Sequence, residues 1–122
     1  LFFLCKYSVS FAFSFALEVS GPFFIFFLTR FVVIAVTTDV SKIPDSSMEQ
    51  LQNLDVLLLD CLRNEPHPTH LSVKESLEVA KELKAKKTIL IHMTHDLEYD
   101  ALSKLLPESI YVGYDGLKIN VN

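Results

Sequence analysis

Short apolar runs alternate with amphipathic segments over residues 31–122, and this alternation limits the fold more than any other feature of the chain. Runs of Val, Ile and Leu bounded by polar residues are typical of buried strands, whereas apolar residues spaced three and four apart are typical of helices. The pattern predicts strands at residues 31–36, 55–60, 88–92, 109–113 and 117–121. It predicts helices at residues 46–53, 72–86 and 97–106. The order β-α-β-α-β-α-β-β indicates a layered α/β fold.

The helix predicted at residues 72–86 carries the clearest local signals. Ser72 and Glu75 have the spacing of a capping box, and Leu71 precedes them as a hydrophobic staple. Apolar side chains fall on one face of this helix and charged ones on the other, so the charges are interpreted as a solvated face. The last predicted strand follows Asp115 and Gly116, a dipeptide typical of hairpin turns.

The composition changes near residue 36, at the end of the first predicted strand. Because that strand, residues 31–36, is assigned to the α/β part, the predicted division is into residues 1–30 and residues 31–122. Nine of the ten phenylalanines lie in the first 27 residues, and residues 1–36 contain only three charged side chains. Three interpretations of this segment stay open: a signal-like or membrane-anchoring segment, buried strands suggested by the alternation at residues 8–15, or sequence foreign to the fold. The third is favoured for residues 1–30. The two apolar runs in this segment, residues 7–17 and 19–29, do not reach the length of about 20 residues that a bilayer requires.

Charge and cysteine content narrow the function classes. The net charge is −4 with acids and bases interspersed, which argues against a large basic surface for nucleic acid. Cys5 and Cys61 do not have the spacing of a metal site, and two cysteines do not indicate a disulfide scaffold. A cytoplasmic location is therefore expected, with membrane association through residues 1–36 as the alternative. Cys61 follows an apolar run and is expected to be a buried thiol.

Three polar residues stand at the ends of predicted strands or in the loop after one: Asp39, His70 and His92. Strand ends are where α/β proteins hold ligands and metals. A carboxylate together with imidazoles suits zinc, manganese or iron. His95 and Asp96 follow within one turn of His92, and they are candidates to orient it or to cap the next helix.

Taken one at a time, these residues have simpler interpretations. Asp39 resembles a turn cap, and a single histidine after a strand, such as His92, is more often a satisfied structural residue than a ligand. His67 is expected to be an exposed loop histidine. Asp60 is a further strand-end acid, for which Arg63 is a nearby partner. The sequence contains neither a glycine-rich phosphate loop nor a recognisable Ser-His-Asp motif.

Five motifs follow one another along residues 35–122: Thr-Thr-Asp-Val-Ser-Lys-Ile-Pro, Leu-Leu-Leu-Asp, His-Pro-Thr-His-Leu-Ser, Ile-His-Met-Thr-His-Asp and Tyr-Asp-Gly-Leu-Lys-Ile. Taken together, these motifs resemble the C-terminal half of a metallo-β-lactamase-fold hydrolase over about residues 35–122. The pattern is similar to the cyclic phosphodiesterase of phosphonate breakdown and, more distantly, to ribonuclease Z. The fold expected from this resemblance is half of an αββα sandwich.

The resemblance implies a role for each candidate residue. Asp39 would bridge two metal ions, His92 would be a terminal ligand, and His70 would be the proton donor beside the scissile phosphate. The implied chemistry is attack by hydroxide formed from water on two zinc or manganese ions. The family's His-x-His-x-Asp-His motif does not occur in this sequence. The metal site is therefore expected to be incomplete, and the chain by itself inactive.

Two other functions remain as alternatives to a hydrolase with a small phosphodiester substrate. One is a non-catalytic half-domain that pairs with another chain or forms a homodimer, because half a sandwich leaves sheet edges or faces uncovered. The other is a membrane-tethered domain, for which residues 1–36 are the motive, although membrane contact is not favoured.

Overall fold

A six-stranded sheet forms the centre of the molecule. The computed structural model describes residues 15–19, 24–29 and 32–120. The strands lie side by side in chain order: β1 Phe15–Val19, β2 Phe24–Thr29, β3 Val32–Thr37, β4 Val56–Asp60, β5 Lys87–Ile91 and β6 Ile110–Val112. The first three pair antiparallel, and β3 to β6 form a four-stranded parallel sheet.

The register of the parallel strands determines which residues meet at the carboxyl edge of the sheet. Thr37 at the end of β3 is opposite Leu59, and Asp60 at the end of β4 is opposite Ile91. Residues that follow these strands therefore emerge at one edge. This is the edge at which open α/β sheets hold ligands.

Three helices connect the parallel strands: α1 Asp45–Gln50, α2 Val73–Leu83 and α3 Tyr99–Leu105. The predicted capping box is present, because Ser72 Oγ accepts from Glu75 N at 3.4 Å and Ser72 N donates to Glu75 Oε2 at 2.8 Å. Helix α2 ends at Leu83 and is capped by Lys84, whose φ is 52° and whose N–H donates to Ala80 O at 3.0 Å. This left-handed residue stops the helix three residues before the predicted end.

Side chains of the parallel strands are buried on both faces of the sheet. Leu57 and Leu59 belong to the large core that contains the buried side of α2, while Val56 and Leu58 belong to a second cluster with Ile89. Burial on both sides explains why these strands appear in the sequence as continuous apolar runs rather than as alternating patterns.

The α/β fold and the predicted strands 31–36, 55–60, 88–92 and 109–113 are confirmed, with bounds that differ by at most one residue. The final predicted strand is wrong for its described residues, 117–120, which form no strand. Leu117 N donates to Tyr114 O at 3.1 Å, and Leu117 and Ile119 then pack against the second cluster. Their alternation with polar residues mimics a strand because one side of this segment covers a sheet face.

Residues 1–30 contribute strands β1 and β2 to the sheet. Most of the alternating segment at residues 8–15 lies outside the described residues, as does Cys5. The interpretation of residues 1–30 as sequence foreign to the fold stays a prediction. Among the described residues, no helix combines the length and the apolar character needed to cross a membrane.

Candidate metal centre

Asp39, His70 and His92 converge at the carboxyl edge of the parallel strands. Each offers one ligand atom, and the three atoms lie within 4.8 Å of one another. The side chains of Asp39 and His92 are 59% and 44% exposed, whereas that of His70 is 16% exposed. The structure thus brings together the three residues singled out from the sequence, in a place that solvent and a ligand can reach.

Asp39 stands two residues beyond the end of β3, where the chain turns sharply. Its φ is 54°, a left-handed conformation that Asp and Asn tolerate better than most residues. Hydrogen bonds fix the turn both before and after Asp39. Thr37 Oγ1 donates to Leu58 O at 3.3 Å, and the N–H of the buried Val40 donates to the Asp60 carboxylate at 3.4 Å.

His70 is positioned by a loop that folds back on the end of β4. Leu62 N donates to Leu71 O at 2.9 Å, which brings the chain next to His70 against the sheet. His70 Nε2 lies 2.9 Å from Asp39 Oδ1, and its Nδ1 lies 2.7 Å from Thr69 Oγ1. Since an ionised carboxylate can only accept, the proton of a neutral His70 is on Nε2 and Thr69 donates to Nδ1.

His67 is half-buried rather than exposed, which differs from the expectation for a loop histidine. Its Nδ1 accepts from Thr69 N at 3.3 Å, and its ring centroid lies 5.0 Å from that of His70. The ring of His70 in turn lies 4.9 Å from that of His92. The His70 ring thus contacts both other imidazoles and connects the loop after β4 with the end of β5.

His92 directly follows β5 and is held by Asp60. Its φ is 66°, and its Nδ1 lies 2.9 Å from Asp60 Oδ1. Asp60 is completely buried, and burial raises the pKa of its carboxyl group, although hydrogen bonds from His92 and Leu71 N oppose this shift. The expectation that Arg63 pairs with Asp60 is wrong, because Arg63 donates to Pro66 O at 3.3 Å instead.

His95 and Asp96 are not brought into this cluster. They pair with each other, with His95 Nε2 at 3.3 Å from Asp96 Oδ1, and their side chains are 95% and 65% exposed. Asp96 also accepts from Thr94 Oγ1 at 3.4 Å. Asp60, rather than either of these residues, is the group that contacts His92. Cys61 is a buried thiol as expected, and burial raises its pKa to about 11, which makes it a poor metal ligand at neutral pH.

The donor set fits a divalent transition metal. Carboxylate oxygens and imidazole nitrogens are ligands of the kind that zinc and manganese accept. His70 can be a third ligand only when its Nε2 gives up the proton that it donates to Asp39. The exposure of Asp39 and His92 leaves the ligand atoms accessible from solvent. Asp60 supplies the carboxylate that usually accompanies a metal-binding histidine.

Comparison with solved structures supports the fold. The chain is 40% identical to a diphosphatase from the PhnP family, with a TM-score of 0.74 over 91% of this chain and 48% of that one. It also resembles zinc-bound PqqB from Methylobacterium extorquens, at 12% identity and a TM-score of 0.69, over 88% of this chain and 46% of that one. The metallo-β-lactamase fold protein YhfI from Bacillus subtilis gives 21% identity and a TM-score of 0.65, over 84% and 46% of the two chains.

The chain spans about half the length of these solved structures. A search of curated proteins found no significant match. A family model described as the beta-lactamase superfamily domain matches residues 21–93, which is more than half of the chain. The family expected from the motifs is therefore confirmed, and the chain belongs to the beta-lactamase superfamily.

Proposed function

We propose that this chain contributes part of the active site of a metal-dependent hydrolase that cleaves phosphodiester bonds. The observation that supports the proposal is the convergence of one carboxylate oxygen and two imidazole nitrogens within 4.8 Å at the carboxyl edge of the sheet. The similar PhnP-family protein is a diphosphatase, which supports a bond between phosphorus and oxygen as the one cleaved.

Asp39 and His92 are the proposed metal ligands. The two oxygens of an exposed carboxylate suit Asp39 to a position between two ions, and the Nε2 atom of His92 is available because Nδ1 is engaged with Asp60. Zinc or manganese fits this set of donors. When bound, such ions lower the pKa of coordinated water and offset negative charge on a phosphoryl group.

His70 is the proposed proton donor. It is the least exposed of the three residues, and Thr69 Oγ1 holds its Nδ1 at 2.7 Å. The Nε2 atom therefore carries the proton and is directed toward the Asp39 carboxylate, beside which the substrate would lie. A donor in this place would protonate the leaving oxygen as the bond to phosphorus breaks.

The described residues supply too few ligands for a two-metal site. Three protein ligands suffice for a single catalytic zinc ion, and one of the three donors here is assigned to proton transfer. The His-x-His-x-Asp-His pattern is absent from the 122 residues. We therefore propose that this chain alone has little or no activity. The substrate partner is a small phosphodiester, while a homodimer and a cytoplasmic location stay predictions.

The test is hydrolysis of bis-p-nitrophenyl phosphate by the purified full-length protein, with added zinc or manganese and after treatment with EDTA. We expect release of p-nitrophenolate that requires metal and that the His70→Ala substitution lowers by about a hundredfold or more. A diphosphate ester assayed in parallel distinguishes the two phosphorus substrates. Absence of metal-dependent cleavage of either compound would contradict the proposal.

A further inference from the structure

The buried carboxylate of Asp60 forms hydrogen bonds with three separate segments of the chain. Its Oδ1 atom lies 2.9 Å from Nδ1 of His92. Its Oδ2 atom accepts two longer hydrogen bonds, from Val40 N at 3.4 Å and from Leu71 N at 3.3 Å. Asp60 is completely buried, so water cannot take over these contacts when the carboxylate is removed.

These three contacts correspond to the three residues of the candidate metal centre. Val40 directly follows Asp39 in the chain, and Leu71 directly follows His70. Asp60 thus holds the backbone beside two of the donor residues and the side chain of the third. Among the described residues, the two oxygens of this single carboxylate connect the segments after β3 and β5 with the loop before α2.

We propose that Asp60 is the positioning residue of this site, which orients the His92 imidazole and fixes the backbone that carries Asp39 and His70. The inference rests on the proposed function, because His92, the side chain that Asp60 contacts, is a metal ligand only in that proposal. It goes beyond that function by naming the residue on which the geometry of all three donors depends.

The effect on His92 follows from the chemistry of imidazole. A neutral imidazole carries one proton, and the nitrogen without it is the one that can bind a metal. When Nδ1 donates to Asp60 Oδ1, the lone pair is left on Nε2. Asp60 therefore selects the tautomer in which Nε2 of His92 can act as a ligand.

The location of Asp60 explains how one residue reaches three segments. It is the last residue of β4, which lies between β3 and β5 in the sheet. Its own carbonyl oxygen accepts from Ser76 Oγ at 2.6 Å, which joins the end of β4 to helix α2. The carboxylate is thereby held at the centre of the carboxyl edge, where the neighbouring strand ends converge.

The substitution Asp60→Asn separates these contacts because an amide has one acceptor oxygen and one donor nitrogen. If the oxygen takes the place of Oδ2 and keeps the bonds from Val40 and Leu71, the NH₂ group faces His92 Nδ1. Nδ1 must then accept, and the proton moves to Nε2. That tautomer is unsuited to metal binding, so we expect zinc affinity to fall by about ten- to hundredfold.

The first measurement is the tautomer of His92 in the metal-free chain, from long-range ¹H–¹⁵N correlation spectra of the imidazole nitrogens. We expect the proton on Nδ1 in the wild type and a shift toward Nε2 in Asp60→Asn. This readout requires no catalysis, and a purely structural role of Asp60 would not move it. A wild-type His92 protonated only at Nε2 would overturn the proposal even if the variant did not fold.

The second measurement is zinc affinity by competition with a chromophoric chelator, with folding of each variant checked by circular dichroism. Asp55→Asn is the matched control. Asp55 flanks the other end of β4, accepts from Val33 N at 2.8 Å and pairs with Lys86 at 2.6 Å. We expect this variant to lose stability while its zinc affinity stays within twofold of the wild type.

A folded Asp60→Asn variant with an unchanged tautomer and unchanged zinc affinity would overturn the positioning role. Equal losses of affinity in Asp55→Asn and Asp60→Asn would also overturn it, because they would indicate a general effect of destabilisation. If the wild-type chain does not bind zinc, its ligand set is incomplete, and the proposed function is decided by the assay of the full-length protein. In that case the tautomer comparison alone supports or overturns the role of Asp60.

Discussion

Asp39 and His92 share an uncommon backbone conformation at equivalent places in the sheet. Both have positive φ, 54° and 66°, and they follow the two strands that flank β4. L-residues other than Asn and Asp rarely occupy this left-handed region, and such residues tend to occur at functional sites. At each of these two positions the backbone turns after its strand, and both side chains lie in one cluster with His70.

The first prediction concerns the energetic consequence of this conformation at Asp39. Asp39→Gly removes the unfavourable Cβ contact, whereas Asp39→Ala retains it and loses the tolerance of Asp for this region. We expect the glycine variant of the metal-free chain to be more stable than the alanine variant by about 1 kcal/mol. Urea unfolding of both variants measures the difference.

Zinc binding serves as the second readout on the same two proteins, since both lack the carboxylate and should lose affinity to the same extent. An alanine variant as stable as the glycine variant would show that the left-handed conformation is not maintained in solution.

Much of the fold could be predicted because the local signals agree with the tertiary structure. The parallel strands appear as apolar runs since both sheet faces are covered, and the capping box of Ser72 and Glu75 marks the start of α2. The final strand could not be predicted correctly. Leu117 and Ile119 alternate with polar residues, but nothing in that pattern separates pairing at a sheet edge from packing on a sheet face.

The candidate site was partly predictable for a similar reason. Strand ends identify Asp39 and His92, and the motif around His70 adds the third residue. The sequence places His95 closer to His92 than Asp60 is, yet the contact is made by Asp60. Sequence distance does not reveal that β4 and β5 are neighbours in register, and the cross-strand pair of Asp60 with Ile91 is what brings Asp60 beside His92.

The second prediction separates the roles of His70 and Asp39 in the full-length protein. Asp39→Ala removes a proposed ligand and should lose both bound metal and activity. His70→Ala removes the proposed proton donor and should retain metal while turnover falls by about a hundredfold or more, the range expected for loss of general acid catalysis. Metal content by mass spectrometry and turnover on the same samples measure both effects. Equal loss of metal in the two variants would make His70 a ligand instead of a proton donor.

The third prediction concerns the dependence of stability on pH. Hydrogen bonds from the Ser72 hydroxyl and backbone N–H lower the pKa of Glu75, so its folded pKa lies below that in the unfolded chain. The stabilisation is therefore present above the unfolded pKa and is lost as pH falls through the folded pKa. Glu75→Gln should lower stability at pH 7 and have a much smaller effect at pH 3.

Urea unfolding at both pH values tests this difference. Glu78→Gln is the matched control, because Glu78 is an exposed acid on the same helix outside the capping box. If Glu75→Gln lowers stability equally at both pH values, or if Glu78→Gln shows the same dependence on pH, the capping box is not the cause of the lowered pKa of Glu75.

The fourth prediction concerns the end of helix α2. Lys84 is exposed, has a φ of 52° and donates its N–H to Ala80 O, a position where glycine is strongly preferred. Lys84→Gly should stabilise the chain by about 0.5 to 1 kcal/mol, since relief of the Cβ contact exceeds the added entropy of the unfolded chain. Lys81→Gly, one turn earlier inside the helix, should instead destabilise it by about 1 kcal/mol. Thermal unfolding distinguishes the opposite signs, and a destabilising Lys84→Gly would mean that α2 continues beyond Leu83 in solution.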